Sequence, residues 1–263
     1  MGVPLITVIL PHFACERYLF DAVSSILQQD MGELELKVVD DASPNDDWLH
    51  AIERLRGDPR LTLYRTTHNV GPYRIKNRLI RTTPSPYIAF QDADDSSHPA
   101  RLRQQLRLMK QTGAQIVGCS FSYIAENGRQ IARQRMVRHV NLWMRFGKSF
   151  AALHPTTIVR SEVFETLGGF DGTTHFSADA DFFLRAAHLY RIRNVRAYLY
   201  NYRIRSNSLS TAQETGLHSQ QRTHYVGLMQ EREQQRRSLR GEALRLSLLA
   251  PPNDIDFDLV ELK

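Results

Sequence analysis

At 263 residues with 42% hydrophobic side chains, the chain can form one compact core with a modest appendage and needs no staples. Two cysteines, Cys15 and Cys119, sit in apolar sequence and exclude both a disulfide framework and a cysteine metal site. The formal charge of +6 suits an anionic partner (nucleic acid, a membrane surface or a phosphorylated substrate), yet acidic clusters stand at Asp40-Asp41, Asp92 to Asp95 and Asp179/Asp181.

In chain order, Leu5 to Leu10 reads as a buried strand ending at Pro11, and Leu19, Ala22, Val23, Ile26 and Leu27 recur at helical spacing within Tyr18 to Gln29. Strands follow at Leu34 to Val39, Leu61 to Tyr64 and Tyr87 to Phe90, separated by helices at about Trp48 to Leu55 and after Gly71-Pro72. This alternation predicts a parallel sheet whose ligands collect at the carboxyl ends of the strands, where Pro11, Asp40-Asp41 and Asp92 to Asp95 fall. A helix near Arg101 to Gln111 leads to a strand at Gln115 to Tyr123 and an Asn127-Gly128 hairpin turn, an antiparallel extension. A helix from Ala178 to Tyr190 and a β-branched, aromatic run at Asn194 to Ile204 come next. From Gln213 the pattern is helical and arginine-rich until Pro251-Pro252, and an acidic tail, Asp254 to Glu261, ends the chain. No apolar run approaches the ~20 residues of a membrane span, and the start carries no secretory signal, so a cytoplasmic protein is expected.

Several carboxylates at one strand end repel one another unless compensated, so Asp92 to Asp95 either hold Mg²⁺ or Mn²⁺ together with substrate phosphates or form an acidic turn capping the next helix. Asp40-Asp41 either accepts from a base or ribose or makes an Asx turn. Asp179 and Asp181 either complement a helix dipole or offer a carboxylate that takes a proton from an attacking hydroxyl. His154, Arg203 and Arg205 are candidates for phosphate or acceptor contacts, or structural residues.

Taken in order, ITVILPHF, DAVSSILQQ, KVVDDASPND, NVGPYRIKN, YIAFQDADD, IVRSEVFETLGGFD and SADADFFLR resemble the family 2 glycosyltransferases. The resemblance covers Pro4 to about Ser210. It implies a GT-A (Rossmann-like) α/β fold: a mixed sheet flanked by helices, with a nucleotide-binding half over about 1–100, an acceptor half over 101–211 and a helical, basic extension over 212–263. It implies a metal-dependent enzyme moving one sugar from a nucleotide diphosphate to a hydroxyl acceptor with inversion, in cell-surface polysaccharide, glycolipid or other glycoconjugate synthesis. Under it, Pro11, Asp41, Lys76, Asp92 and Asp94 bind the donor nucleotide, Asp94 and Asp95 hold Mn²⁺ or Mg²⁺, and Asp179 is the general base. Lys76 stands where the family usually has arginine, and Ala178 where it has glutamate. A Gln-x-x-Arg-Trp motif of processive members is absent, which implies non-processive transfer.

Asp41 favours a base with an N–H to offer, hence a UDP-sugar. The acceptor is a carbohydrate or is lipid-linked, and the arginine-rich helix is a candidate for peripheral contact with the inner face of a membrane. Two other readings remain: a sugar nucleotidyltransferase, which expects a glycine-rich loop where Pro11 to Cys15 has none, and a non-catalytic nucleotide- or nucleic-acid-binding protein.

Overall fold

The computed structural model describes residues 2–145, 151–174, 176–206, 216, 219–251 and 256–262. The expected boundary at 211–212 lies outside the described residues.

Strand β1 (Ile6–His12) shows the pattern that organises the molecule. Ile6, Val8 and Leu10 point to one side of the sheet, against α1 (Glu16–Leu27) and α4 (Arg101–Thr112), whereas Ile9 points to the other. That second side is covered by α3 (Pro72–Thr82), α6 (Ser161–Leu167) and α7 (Ala178–Ala187). Burial on both faces accounts for the largely apolar runs of β1 and β4 (Tyr87–Phe90), while β2 (Leu34–Asp40) interrupts its apolar residues with a buried Lys37 that donates to the Thr83 hydroxyl at 3.0 Å. β2 and β4 flank β1 in parallel, and β3 (Leu61–Thr66) adds to β2, also in parallel. The helix expected at Trp48 to Leu55 forms as α2 (Asp47–Ala51) and a separate 3-10 turn, Glu53–Leu55.

Beyond β4 the sheet becomes mixed. After β5 (Ser96–Ser97) and the long β6 (Ile116–Ile124), the hairpin partner β7 (Gln130–Gln134) turns back at Gly128, and α5 (Val140–Arg145) follows. β8 (Ile158–Arg160) runs antiparallel to both β4 and β6, and β9 (Ile192–Arg203) runs parallel to β6. Register shifts near Ser120 bend the β6–β9 pair, and the far half of β9 reaches β5, pairing Asn201 with Ser96 and Tyr200 with Ser97. That bend brings Tyr200, Arg203 and Arg205 to the acidic turn after β4.

The arginine-rich segment forms α8 (Gln220–Ser238) and α9 (Gly241–Ser247). The end of the acidic tail is β10 (Leu259–Leu262), antiparallel to β3 at the sheet edge. Periodicity did not show this strand, because only half of its positions are even partly buried.

Candidate active site

The carboxyl ends of β2, β1 and β4 lie side by side, so Asp40-Asp41, Pro11-His12 and Asp92 to Asp95 share one rim. Pro11 is partly exposed there, and the Asp41 N–H donates to the His12 carbonyl at 2.8 Å. The Asp41 carboxylate faces the loop that follows β3. Its Oδ1 accepts from the Val70 N–H at 2.8 Å and the Thr66 hydroxyl at 3.1 Å, and its Oδ2 from the Gly71 N–H at 2.9 Å. Asp41 thus pins the crevice wall and the start of α3; in this conformation it is not the open acceptor that a base contact would use.

Asp92 is partly exposed, and burial of its carboxyl raises it to about 6 against the opposing pull of Lys76. Lys76 is buried with its ammonium 5.3 Å from the Tyr73 ring centre and 5.7 Å from that of Phe90. Burial lowers its pKa, while Asp92 and Asp179 hold the charge in place. Asp179 stands in the first turn of α7, which is entered through Ser177 in the left-handed conformation (φ 60). The Tyr73 hydroxyl donates to Asp179 Oδ1 at 2.9 Å. Asp92, Lys76, Tyr73 and Asp179 therefore form one charged cluster across the crevice, with two carboxylates balanced by one ammonium.

Asp94 and Asp95 separate in role. Asp94 is partly exposed and pairs with Arg205 at 2.5 Å. Asp95 is buried, its Oδ1 accepting the Arg203 N–H at 2.7 Å, and burial beside Asp94 pushes its carboxyl well up. Asp95 Oδ2 is buried with no hydrogen-bond donor, an orphaned oxygen of the kind a cation satisfies. No group of three or more acidic, histidine or cysteine ligands that could hold a metal is present among the described residues. The arrangement fits a hard divalent cation taking one or two carboxylates from the protein and its other oxygens from a diphosphate.

Three expectations are corrected here. Asp181 does not face the crevice: it is 1% exposed, with Oδ2 accepting from Arg185 Nε at 2.6 Å and Oδ1 from Arg236 at 3.3 Å. It faces α8 because it lies two residues beyond Asp179, about 200° around the helix. His154 is buried among Phe90, Phe170 and Tyr73, its ring centroid 4.4 Å from that of Phe90; burial and then Lys76 keep it neutral, so it is a core residue. Arg203 is not a free phosphate ligand. Its guanidinium lies 4.7 Å from the Tyr18 ring centre and donates to the carbonyls of Asp94 at 2.7 Å and Glu126 at 2.8 Å, clasping the acidic turn to the end of β6.

Sequence reasoning missed Tyr73, Tyr200 and Asn77. The Tyr200 hydroxyl accepts the Asp92 N–H at 3.2 Å. Asn77 bonds both the N–H and the carbonyl of Phe170, each at 2.9 Å, which ties α3 to the loop before α7. The segment NVGPYRIKN holds Tyr73 and Asn77, but its reading as a helix after Gly71-Pro72 singled out only Lys76.

Residues 7–168 match the glycosyl transferase family 2. An uncharacterized glycosyltransferase of Methanocaldococcus jannaschii is 28% identical over 228 residues, 83% of this chain and 78% of that protein. The O-antigen biosynthesis glycosyltransferase WbnJ of Escherichia coli is 28% identical over 214 residues, 78% of this chain and 81% of its own. Other relatives are longer: the chain spans 52% of an uncharacterized glycosyltransferase of Haemophilus influenzae. Among solved structures, residues 1–349 of TarS from S. aureus with UDP-GlcNAc superpose with a TM-score of 0.66 at 23% identity, over 77% of this chain and 59% of that one. The mannosyltransferase PcManGT of Pyrobaculum calidifontis, with GDP-Man and Mn²⁺, gives 0.61 at 17% identity, over 94% and 69%.

Proposed function

The chain belongs to glycosyl transferase family 2, and from that premise we propose that it transfers a single sugar from a UDP-sugar to a hydroxyl acceptor with inversion, in polysaccharide or glycoconjugate synthesis. The observation that carries this is the cluster of Asp92, Lys76, Tyr73 and Asp179 beside the Asp94-Asp95 turn, at the edge of the sheet where such folds bind nucleotides. The TarS complexes with UDP and UDP-GlcNAc favour uridine as the first nucleotide to test.

In this reading Asp179 accepts the proton of the acceptor hydroxyl as its oxygen bonds to the anomeric carbon. The bond from that carbon to the diphosphate oxygen breaks, and the nucleoside diphosphate leaves with its electron pair. Tyr73 fixes the Asp179 carboxylate through Oδ1, which leaves Oδ2 to meet the acceptor. Lys76 balances the charges of Asp92 and Asp179 beside it. Pro11 borders the nucleotide, and Asp41 shapes its wall through the loop at Val70 and Gly71. Asp94 and Asp95 would hold Mn²⁺ or Mg²⁺, whose chemistry there is to neutralise charge developing on the diphosphate. Arg205, paired with Asp94 at 2.5 Å, stands beside those carboxylates.

The test is turnover of a UDP-sugar panel with hydroxyl acceptors, by the protein and by Asp179→Asn. Transfer that falls about 10²–10⁴-fold in the variant while UDP still binds supports the reading. Unchanged turnover removes Asp179 from this role.

A further inference from the structure

Helix α7 is entered through Ser177 at φ 60, a left-handed conformation that a serine keeps only where its surroundings impose it. Two residues later stands Asp179. The surroundings come largely from α8, a helix outside the residues 7–168 that match the family.

Tyr225, Met229, Arg232 and Arg236 recur at i, i+4, i+7 and i+11, so they share one stripe of α8. Ahead of the turn, this stripe grips the loop that leads into it. Asp171 is 1% exposed, and its Oδ1 accepts from the Thr173 N–H at 3.0 Å and the Thr173 hydroxyl at 2.5 Å. Its Oδ2 accepts from the Tyr225 hydroxyl at 3.1 Å and meets Arg232 at 3.5 Å. The Tyr225 ring stands edge-on to Phe176, with centroids 6.3 Å apart, and the Arg222 guanidinium lies 5.2 Å from the centre of the Phe176 ring. Thr174 closes the loop, its hydroxyl accepting from the Phe176 N–H at 3.3 Å and donating to the Phe176 carbonyl at 3.0 Å. Past the turn, Arg236 pairs with Asp181 at 3.3 Å. Asp179 thus lies between two anchors on the same helix.

We propose that Tyr225 is a positioning residue for Asp179: by holding Asp171 and Phe176 it keeps Ser177 in its left-handed turn and sets the backbone from which the carboxylate reaches the acceptor. The role rests on the reading of Asp179 as the base. Tyr73 and Tyr225 divide the task, the first orienting the carboxylate itself and the second the chain that carries it. Burial, and then Asp171, push the Tyr225 hydroxyl up in pKa, so it remains a donor.

Tyr225→Phe removes the hydroxyl and leaves the ring on Phe176 and Arg232 on Asp171, so the core stays closed. Two measurements on the whole chain test the role. Hydrogen exchange needs no turnover: the amides of Thr173, Phe176 and Ala180 should exchange about tenfold or more faster in the variant, while those of Val70 and Gly71 at the donor wall and the affinity for UDP stay unchanged. In steady-state transfer from a UDP-sugar, kcat should fall about tenfold with KM for the donor unchanged. The same substitution made on Asp179→Asn should cost no further turnover, because a residue that acts through Asp179 has nothing left to position. Unchanged exchange in Tyr225→Phe, or a loss of kcat that persists in full on Asp179→Asn, overturns the proposal and leaves Asp179 as the base. Undiminished turnover of Asp179→Asn alone removes the base, and this role of Tyr225 with it.

Discussion

The hydroxyl of Tyr73 donates to Asp179 Oδ1 at 2.9 Å and thereby joins α3 to the first turn of α7 across the crevice. A hydrogen bond to a charged group is worth about 1.5–3 kcal/mol, and here it orients the carboxylate that the proposed reaction uses as its base. Tyr73→Phe should therefore lower kcat about tenfold or more and leave KM for the donor nearly unchanged. Steady-state kinetics with both substrates varied separates this outcome from a general loss of folding, which would change neither constant per active molecule.

A buried histidine sets part of the acid sensitivity. Burial, aided by Arg65, lowers His12 to about 3 from its usual 6.5. Between those values the unfolded chain binds the proton and the folded one does not, so this contribution to stability is intact above pH 6.5 and is lost as pH falls towards 3. From pH 7 to pH 5 the loss is about 2 kcal/mol, at about 1.4 kcal/mol for each pH unit below 6.5. Both ring nitrogens lack hydrogen-bond partners, so His12→Phe keeps the packing on Trp48 and should remove that slope. Urea unfolding of both proteins at the two pH values measures it; equal slopes would remove His12 as its source.

Most of the α/β frame was legible in the sequence because two physical signals agreed. Buried strands such as Tyr87–Phe90 are continuous apolar runs, and α1 carries a helical stripe, with turn residues between them. The signals ran out where structure depends on distant partners. β5 has two residues and exists only because bent β9 reaches it, and β10 is an exposed edge. In the site, carboxylates at strand ends announced themselves by mutual repulsion. Their division of labour did not, because it is set by Arg203, Arg205, Tyr200 and the loop at Val70, which arrive from elsewhere in the chain. Asp179 and Asp181 look alike in sequence, and only the neighbouring α8 shows that the second is a structural ion.

Removing Asp181 should cost stability and spare binding. Asp181→Ala leaves the guanidinium groups of Arg185 and Arg236 without their buried carboxylate, a loss of about 3–5 kcal/mol. Denaturant unfolding should show this cost, while the folded fraction binds UDP as before. A variant of full stability with weakened acceptor binding would return Asp181 to the crevice.

Gly169 is required by its neighbour. Its φ is +85, and a Cβ there would lie 2.4 Å from Asn77 Oδ1, the atom that accepts the Phe170 N–H. Gly169→Ala should cost about 1–3 kcal/mol by backbone strain and displace Asn77. Chemical denaturation gives the cost, and a neutral substitution would show that the loop before α7 adapts.

Calorimetric titration of UDP with and without Mn²⁺, on the protein and on Asp94→Asn, tests the central claim most directly. The account predicts binding that requires the metal and is lost in a folded Asp94→Asn variant. Nucleotide binding indifferent to both metal and Asp94, or no binding of any nucleoside diphosphate, would contradict it.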